Sequence, residues 1–146
     1  MNNKKLTIKT TKHPAVTINR NAIVTDRLVY IAVANKKFHY PNGDSQIVYI
    51  GTTKAGAIRI AGSAACRAQE LLDLHGVSEL KFHVVTCAPR QAVRTWAKLE
   101  TSLILAFKQL YGTPPKCNTK GKKQRWSDEL DYFTRKRLDG VIQQYS

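Results

Sequence analysis

Two stretches rich in β-branched and aromatic residues, Arg27 to Tyr40 and Ile47 to Ile50, stand on either side of the polar break Pro41-Asn42-Gly43-Asp44. Asn-Gly is a strong short-range turn signal, because both residues tolerate positive φ. The pattern predicts an antiparallel hairpin. Residues 5–20 alternate more loosely, through Leu6, Ile8, Ala15, Val16 and Ile18, and suggest one or two short strands. Residues 55–75 are alanine-rich and favour a helix. Gly62-Ser63 is a candidate break within it, with Ser63 as N-cap, and Gly76 is a stop. Leu80 to Thr86 reads as a third strand. Pro89 suits a helix start, and a long helix is expected from there to Tyr111, ended by Gly112 and Pro114-Pro115. Ser127-Asp128-Glu129 resembles the start of a last helix reaching about Gln144. This order predicts an α+β fold, with a small, mainly antiparallel three-stranded sheet flanked by helices.

Charge changes the picture more than composition does. The 146 residues and 42% hydrophobic content suit one ordinary domain with short extensions, but 24 Lys and Arg face 10 Asp and Glu, a net charge of +14. Such a surplus points to a polyanionic partner, since each cation that meets a phosphate releases a counterion. A basic structural protein, such as a ribosome component, is the plainer alternative. The charge is spread along the chain rather than gathered in a tail: residues 1–27 carry six basic side chains and one acid, residues 120–146 seven and four. The longest apolar runs, Leu28–Ala34 and Leu103–Phe107, are far short of the ~18 residues of a membrane span. The start, MNNKKLTIKTTK, has no apolar signal-peptide core. Cys66, Cys87 and Cys117 form no CxxC pair and read as reduced thiols of a cytoplasmic protein.

One residue resists a purely structural reading. The apolar face of the long helix runs through Val93, Trp96, Leu103, Phe107 and Leu110 or Tyr111, and Glu100 fills the gap between Trp96 and Leu103. Helical spacing thus expects a carboxylate in the middle of the core-facing stripe. A buried carboxylate needs a cation, hydrogen bonds or a metal. The alternatives are a Glu at the stripe edge that swings out to water, or one paired with Arg59. Arg59, Ser63 and Arg67 would share a helix face, where guanidinium forks suit phosphate oxygens or simply face solvent. Tyr30 and Tyr49 stand on the two arms of the hairpin, flanked by Val and Ile, as ordinary packing would also place them. His13, His39, His75 and His83 show no metal-ligand spacing.

Taken together, these residues resemble the GIY-YIG nuclease family. Val48-Tyr49-Ile50-Gly51 matches the second half of that signature, and Leu28-Val29-Tyr30 stands where the first half belongs. Arg59 follows ten residues after Tyr49, Leu99-Glu100-Thr101-Ser102-Leu103-Ile104 is similar to the metal-binding helix, and Pro115-Lys116-Cys117-Asn118 to the closing segment. The departures are Leu28 for the first glycine, a longer hairpin, Thr52 after the glycine and Ser63 where many relatives carry His or Tyr. The resemblance implies a catalytic domain over residues 27–121, between basic extensions 1–26 and 122–146. It implies an endonuclease with one divalent cation, Mg²⁺ or Mn²⁺, on Glu100. Arg59 would hold the phosphate, Tyr30 or Tyr49 would act on the water, and Asn118 would position the site. Lys54, Ser63, Arg67, Lys120, Lys122, Lys123 and Arg125 would contact nucleic acid, DNA rather than RNA. Trp126 would stack on a base or, as the favoured alternative, anchor the last helix. No recognition domain fits in the remaining residues, so specificity would come from the hairpin, the flanks, a homodimer or a protein partner. The rival reading is a non-catalytic nucleic-acid-binding module of the same fold.

Overall fold

The first half of the first hairpin arm, Leu28–Ala34, is apolar without interruption, so it can be buried on both sides only at the centre of a sheet. In the computed structural model, which describes residues 5–15, 17, 26–74, 76–119 and 121–146, this is the arrangement found. Strands β1 (Leu28–Tyr40), β2 (Gly43–Thr53) and β3 (Leu80–Val85) form one antiparallel sheet in the order β2-β1-β3. Helix α1 (Gly56–Leu71) joins β2 to β3. After β3 come α2 (Thr95–Tyr111), a 3₁₀ turn (Glu129–Asp131) and α3 (Arg135–Tyr145). The expected α+β fold with a three-stranded antiparallel sheet is therefore present.

The two faces of the sheet have different covers. Val29, Ile31, Ile47 and Ile50 pack with Leu99, Leu103 and Phe107 of α2 and with Leu138 and Ile142 of α3. On the other face Leu28 and Tyr30 meet Ile60 of α1, while Ala32, Ala34 and Val48 meet Leu71 and Val77. A β-bulge makes this division possible. Pairing passes from Ala32–Tyr49 to Val33–Ile47, which leaves Val48 as an extra residue. Ile47 and Ile50 thus reach one core, while Val48 and Tyr49 both turn to the α1 side.

Several local expectations change. The hairpin turns on Pro41-Asn42, because Tyr40 pairs with Gly43. Asn42 does not take positive φ: among the described residues Ala92, at 59°, is the one non-glycine that does. The Asn42 N–H instead donates to the Tyr111 carbonyl at 3.1 Å, docking the turn on the end of α2. Helix α1 runs unbroken through Gly62-Ser63. Helix α2 starts later than Pro89, because Arg90 to Val93 close a turn of their own (Val93 N–H to Arg90 carbonyl, 3.2 Å). It ends as expected at Gly112, whose left-handed φ of 91° caps the last turn. Helix α3 begins at Thr134 rather than Ser127: the Thr134 hydroxyl accepts the Arg137 N–H at 3.3 Å. Ser127-Asp128-Glu129 leads into the 3₁₀ turn instead. Residues 5–15 form no strand, and Val16, Ile18, His75 and Lys120 lie outside the described residues. Among the described residues, no helix is long and apolar enough to cross a membrane.

Candidate active site

Tyr30 stands opposite Gly51 across the β1–β2 ladder, and Tyr49 lies two residues earlier on the same face. The two rings are 5.9 Å apart, centre to centre, tilted by 40°. Gly51 is what lets them close in. A Cβ there would lie 2.6 Å from Tyr30 Cζ, 2.6 Å from Tyr49 Cε1 and 2.7 Å from the Tyr30 hydroxyl, all impossibly short. This glycine is required for space. Tyr30 is only 3% exposed and leans on Phe82; Tyr49 is half-buried.

Asn118 closes the outer edge of β2. Its Oδ1 accepts the Ile50 N–H at 2.9 Å and its Nδ2 donates to the Ile50 carbonyl at 2.8 Å. One side chain thus pairs with both backbone groups of the residue between Tyr49 and Gly51, as a neighbouring strand would. The Cys117 N–H to the Val48 carbonyl, 2.9 Å, extends the pairing. A third hairpin tyrosine, Tyr40, belongs to this edge by structure alone. Its hydroxyl donates to the Ile47 carbonyl at 2.7 Å and accepts the Lys116 N–H at 3.1 Å, while its ring meets Phe107 edge-on. Burial pushes its pKa up to about 12, against a smaller downward pull from the Lys116 hydrogen bond.

Arg67 covers Tyr49, with its guanidinium 4.4 Å from the ring centre. It also donates to both Glu70 oxygens, at 2.9 and 3.0 Å. Burial alone would lower its pKa, but the Glu70 hydrogen bond and charge, joined by Tyr49, hold it above its ordinary value. The neighbouring Cys117 thiol is pushed up, first by burial and then by Glu70. Sequence reading treated Arg67 as a nucleic-acid contact; here it is bound to Tyr49 and Glu70. Glu70 was missed, although its i,i+3 spacing from Arg67 was a readable signal.

The other candidates are placed differently. Arg59 is exposed on the first turn of α1, beside Ile60, and joins no ion pair among the described residues, so the Arg59–Glu100 pairing is not formed. Ser63 lies on α1 one turn after Arg59. Lys54, Lys122, Lys123 and Arg125 are exposed. The segment that carries the last three is fastened along α2 by Lys108, whose Nζ donates to the carbonyls of Gly121, Lys122 and Gln124. Trp126 anchors the C-terminal region: it packs on the core, donates to Gln109 at 3.3 Å and carries Arg135 over its ring.

Glu100 lies on the second turn of α2 and is partly buried. The core line of that helix runs through Leu99, Leu103 and Phe107, so Glu100 stands at its margin rather than in mid-stripe. Trp96, one turn earlier on the same side, is also off the core and is faced by Arg27 at 4.7 Å. Arg27 immediately precedes β1, so this contact ties the Glu100 end of α2 to the end of the sheet that carries Tyr30. Among the described residues no three His, Cys, Asp or Glu side chains converge. Compared with family models, curated proteins and solved structures, the chain matches none.

Proposed function

We propose that this protein is a divalent-metal-dependent endonuclease that hydrolyses phosphodiester bonds in nucleic acid, DNA in preference to RNA. The observation that carries the reading is the Tyr30–Tyr49 pair seated on Gly51, with Asn118 clamping Ile50 between them. These are three of the five residues, with Arg59 and Glu100, on which the GIY-YIG resemblance rests, and they meet although they come from three separate segments. Tyr49, the more accessible ring, would receive or hand on the proton of the attacking water, and the Arg67 guanidinium supplies positive charge beside it. Tyr30, being buried, would fix the Tyr49 ring. Arg59, exposed and without an ion-pair partner among the described residues, would hold the scissile phosphate. Glu100 would hold Mg²⁺ or Mn²⁺. When bound, that ion supplies Lewis-acid stabilisation of the charge that develops on the leaving oxygen. We place the activity in the cytoplasm, where the free thiols of Cys66, Cys87 and Cys117 are chemically at home. A homodimer or a protein partner would supply sequence specificity.

One observation favours the second reading, a non-catalytic nucleic-acid-binding module. Tyr30 is 3% exposed and Arg67 lies over Tyr49, so substrate must displace or pass Arg67 to reach either hydroxyl. The test is to incubate the protein with supercoiled plasmid, linear duplex, single-stranded DNA and structured RNA, with Mg²⁺ or Mn²⁺, beside Glu100→Ala and an EDTA control. The nuclease reading expects cutting that needs both the metal and Glu100. Salt-sensitive binding without cutting on any of these substrates would leave the binding module.

A further inference from the structure

A second charged site lies beyond the end of the sheet. Arg27, Arg90 and Arg94 converge with Pro89 and Trp96 on an open cleft of about 500 Å³. Arg27 and Arg94 lie 4.7 and 5.6 Å from the centre of the Trp96 ring, and Arg90 lies 4.9 Å from that of Tyr132. All three arginines are exposed. Each of the ten acidic residues is among the described residues, yet none pairs with any of these arginines. Arg67 and Arg135, by contrast, each have a carboxylate.

This combination has a physical meaning. A guanidinium stacked on a ring is held by its face and keeps its in-plane N–H fork for another group. Three such forks without carboxylates repel one another unless an external anion draws them together. The turn that presents Arg90 and Arg94 is itself unusual, with Ala92 in the left-handed region that a non-glycine residue seldom adopts. The position is equally informative. Arg27 immediately precedes β1, so the cleft lies beyond the end of the sheet that carries Tyr30.

We propose that this cleft is a second nucleic-acid contact, in which Arg27, Arg90 and Arg94, braced on Trp96 and Tyr132, grip backbone phosphates of a strand that also meets the tyrosine site. That the tyrosine site is the other contact rests on the nuclease reading; the binding itself does not. The partner is a nucleic-acid strand because the site offers forked donors in series, beside aromatic rings, on a chain of net charge +14.

The experiment is equilibrium binding of a short DNA duplex in EDTA, so that no cleavage can intervene, across a range of salt. The variant Arg27→Ala/Arg90→Ala/Arg94→Ala is compared with Lys37→Ala/Lys136→Ala/Arg137→Ala, which removes three positive charges elsewhere. The first should weaken binding roughly a hundredfold and lower the salt slope by about 2.7, at about 0.9 per phosphate lost. The second should weaken it less than about fivefold and leave the slope nearly unchanged. Equal losses in the two variants would overturn the proposal. A second readout does not depend on how well the triple variant folds. In Trp126→Phe, Trp96 is the remaining tryptophan, and duplex binding should quench its fluorescence. An unquenched signal at saturating duplex would also overturn the site. If the wild type binds in this way but cuts nothing with Mg²⁺ or Mn²⁺, the nuclease reading fails and the second contact stands. If it cuts while the arginine variant binds like wild type, the reverse holds.

Discussion

The two faces of the β1–β2 ladder come from the same two strands but obey different rules. Toward α2 and α3, Val29, Ile31, Ile47 and Ile50 meet Leu103, Phe107, Leu138 and Ile142, and every partner is apolar. Toward α1, the same strands present Tyr30, Tyr49 and the small residues Ala32 and Ala34, with Arg67 lying over a ring. The first face is governed by volume, because non-directional burial tolerates any well-fitting apolar side chain. The second is governed by position, because two hydroxyls and a guanidinium act only at defined distances. The bulge at Val48 separates the two regimes, since it sends Tyr49 to the α1 side without removing Ile47 or Ile50 from the other core.

Damaging each face in turn separates the two rules. Phe107→Ala, on the volume side, should cost about 3–5 kcal/mol in urea unfolding, as large-to-small core changes do. Its cleavage rate per folded molecule should stay near that of wild type. Gly51→Ala, on the positional side, should cost less, about 1–3 kcal/mol, because the new methyl overlaps both tyrosine rings. It should nevertheless lower cleavage by more than tenfold, since neither ring can stay in place. Equal activity in wild type and Gly51→Ala would remove the positional role. Asn118→Ala should cost about 1–2 kcal/mol, having left the Ile50 N–H and carbonyl without their partner. Its activity should fall severalfold through misplacement of Tyr49.

The smallest expected effect concerns Tyr40. Its phenol ionises near 10 in the unfolded chain and at about 12 in the fold. The folded state therefore favours the protonated form, and unfolding becomes easier once the unfolded chain can ionise. The stability advantage of wild type over Tyr40→Phe should be complete below pH 10 and decline as pH rises toward 12. An advantage that is constant from pH 8 to pH 11 would contradict the buried, hydrogen-bonded state of that hydroxyl.

The hairpin, the third strand and the helices that follow were legible because long β-branched runs, a proline-containing turn and a glycine stop each act locally. The bulge was not legible: Ile47-Val48-Tyr49-Ile50 is apolar throughout, so no alternation exists for an extra residue to interrupt. The start of α2 was misjudged because Pro89 is a good helix opener, whereas the left-handed Ala92 depends on its surroundings. Glu100 was put in mid-stripe by counting Trp96 as core. In the fold Trp96 is satisfied at the surface by Arg27 and Arg94, and the stripe shifts to Leu99. Arg67 was not set apart as a partner of the tyrosines for a similar reason, since nothing local reveals that Tyr49 lies beneath it. Contacts between distant segments were the part that escaped the sequence.

The most direct test of the proposed tyrosine site is the Mg²⁺-dependent cleavage rate of Tyr49→Phe, measured against wild type at equal folded concentration. The substitution removes one hydroxyl and leaves the ring between Arg67 and Gly51. A loss of about a hundredfold or more is expected, the usual scale for a positioned proton-transfer group. Cleavage at the wild-type rate would contradict it, and would make the tyrosine pair a packing feature rather than the centre of the site.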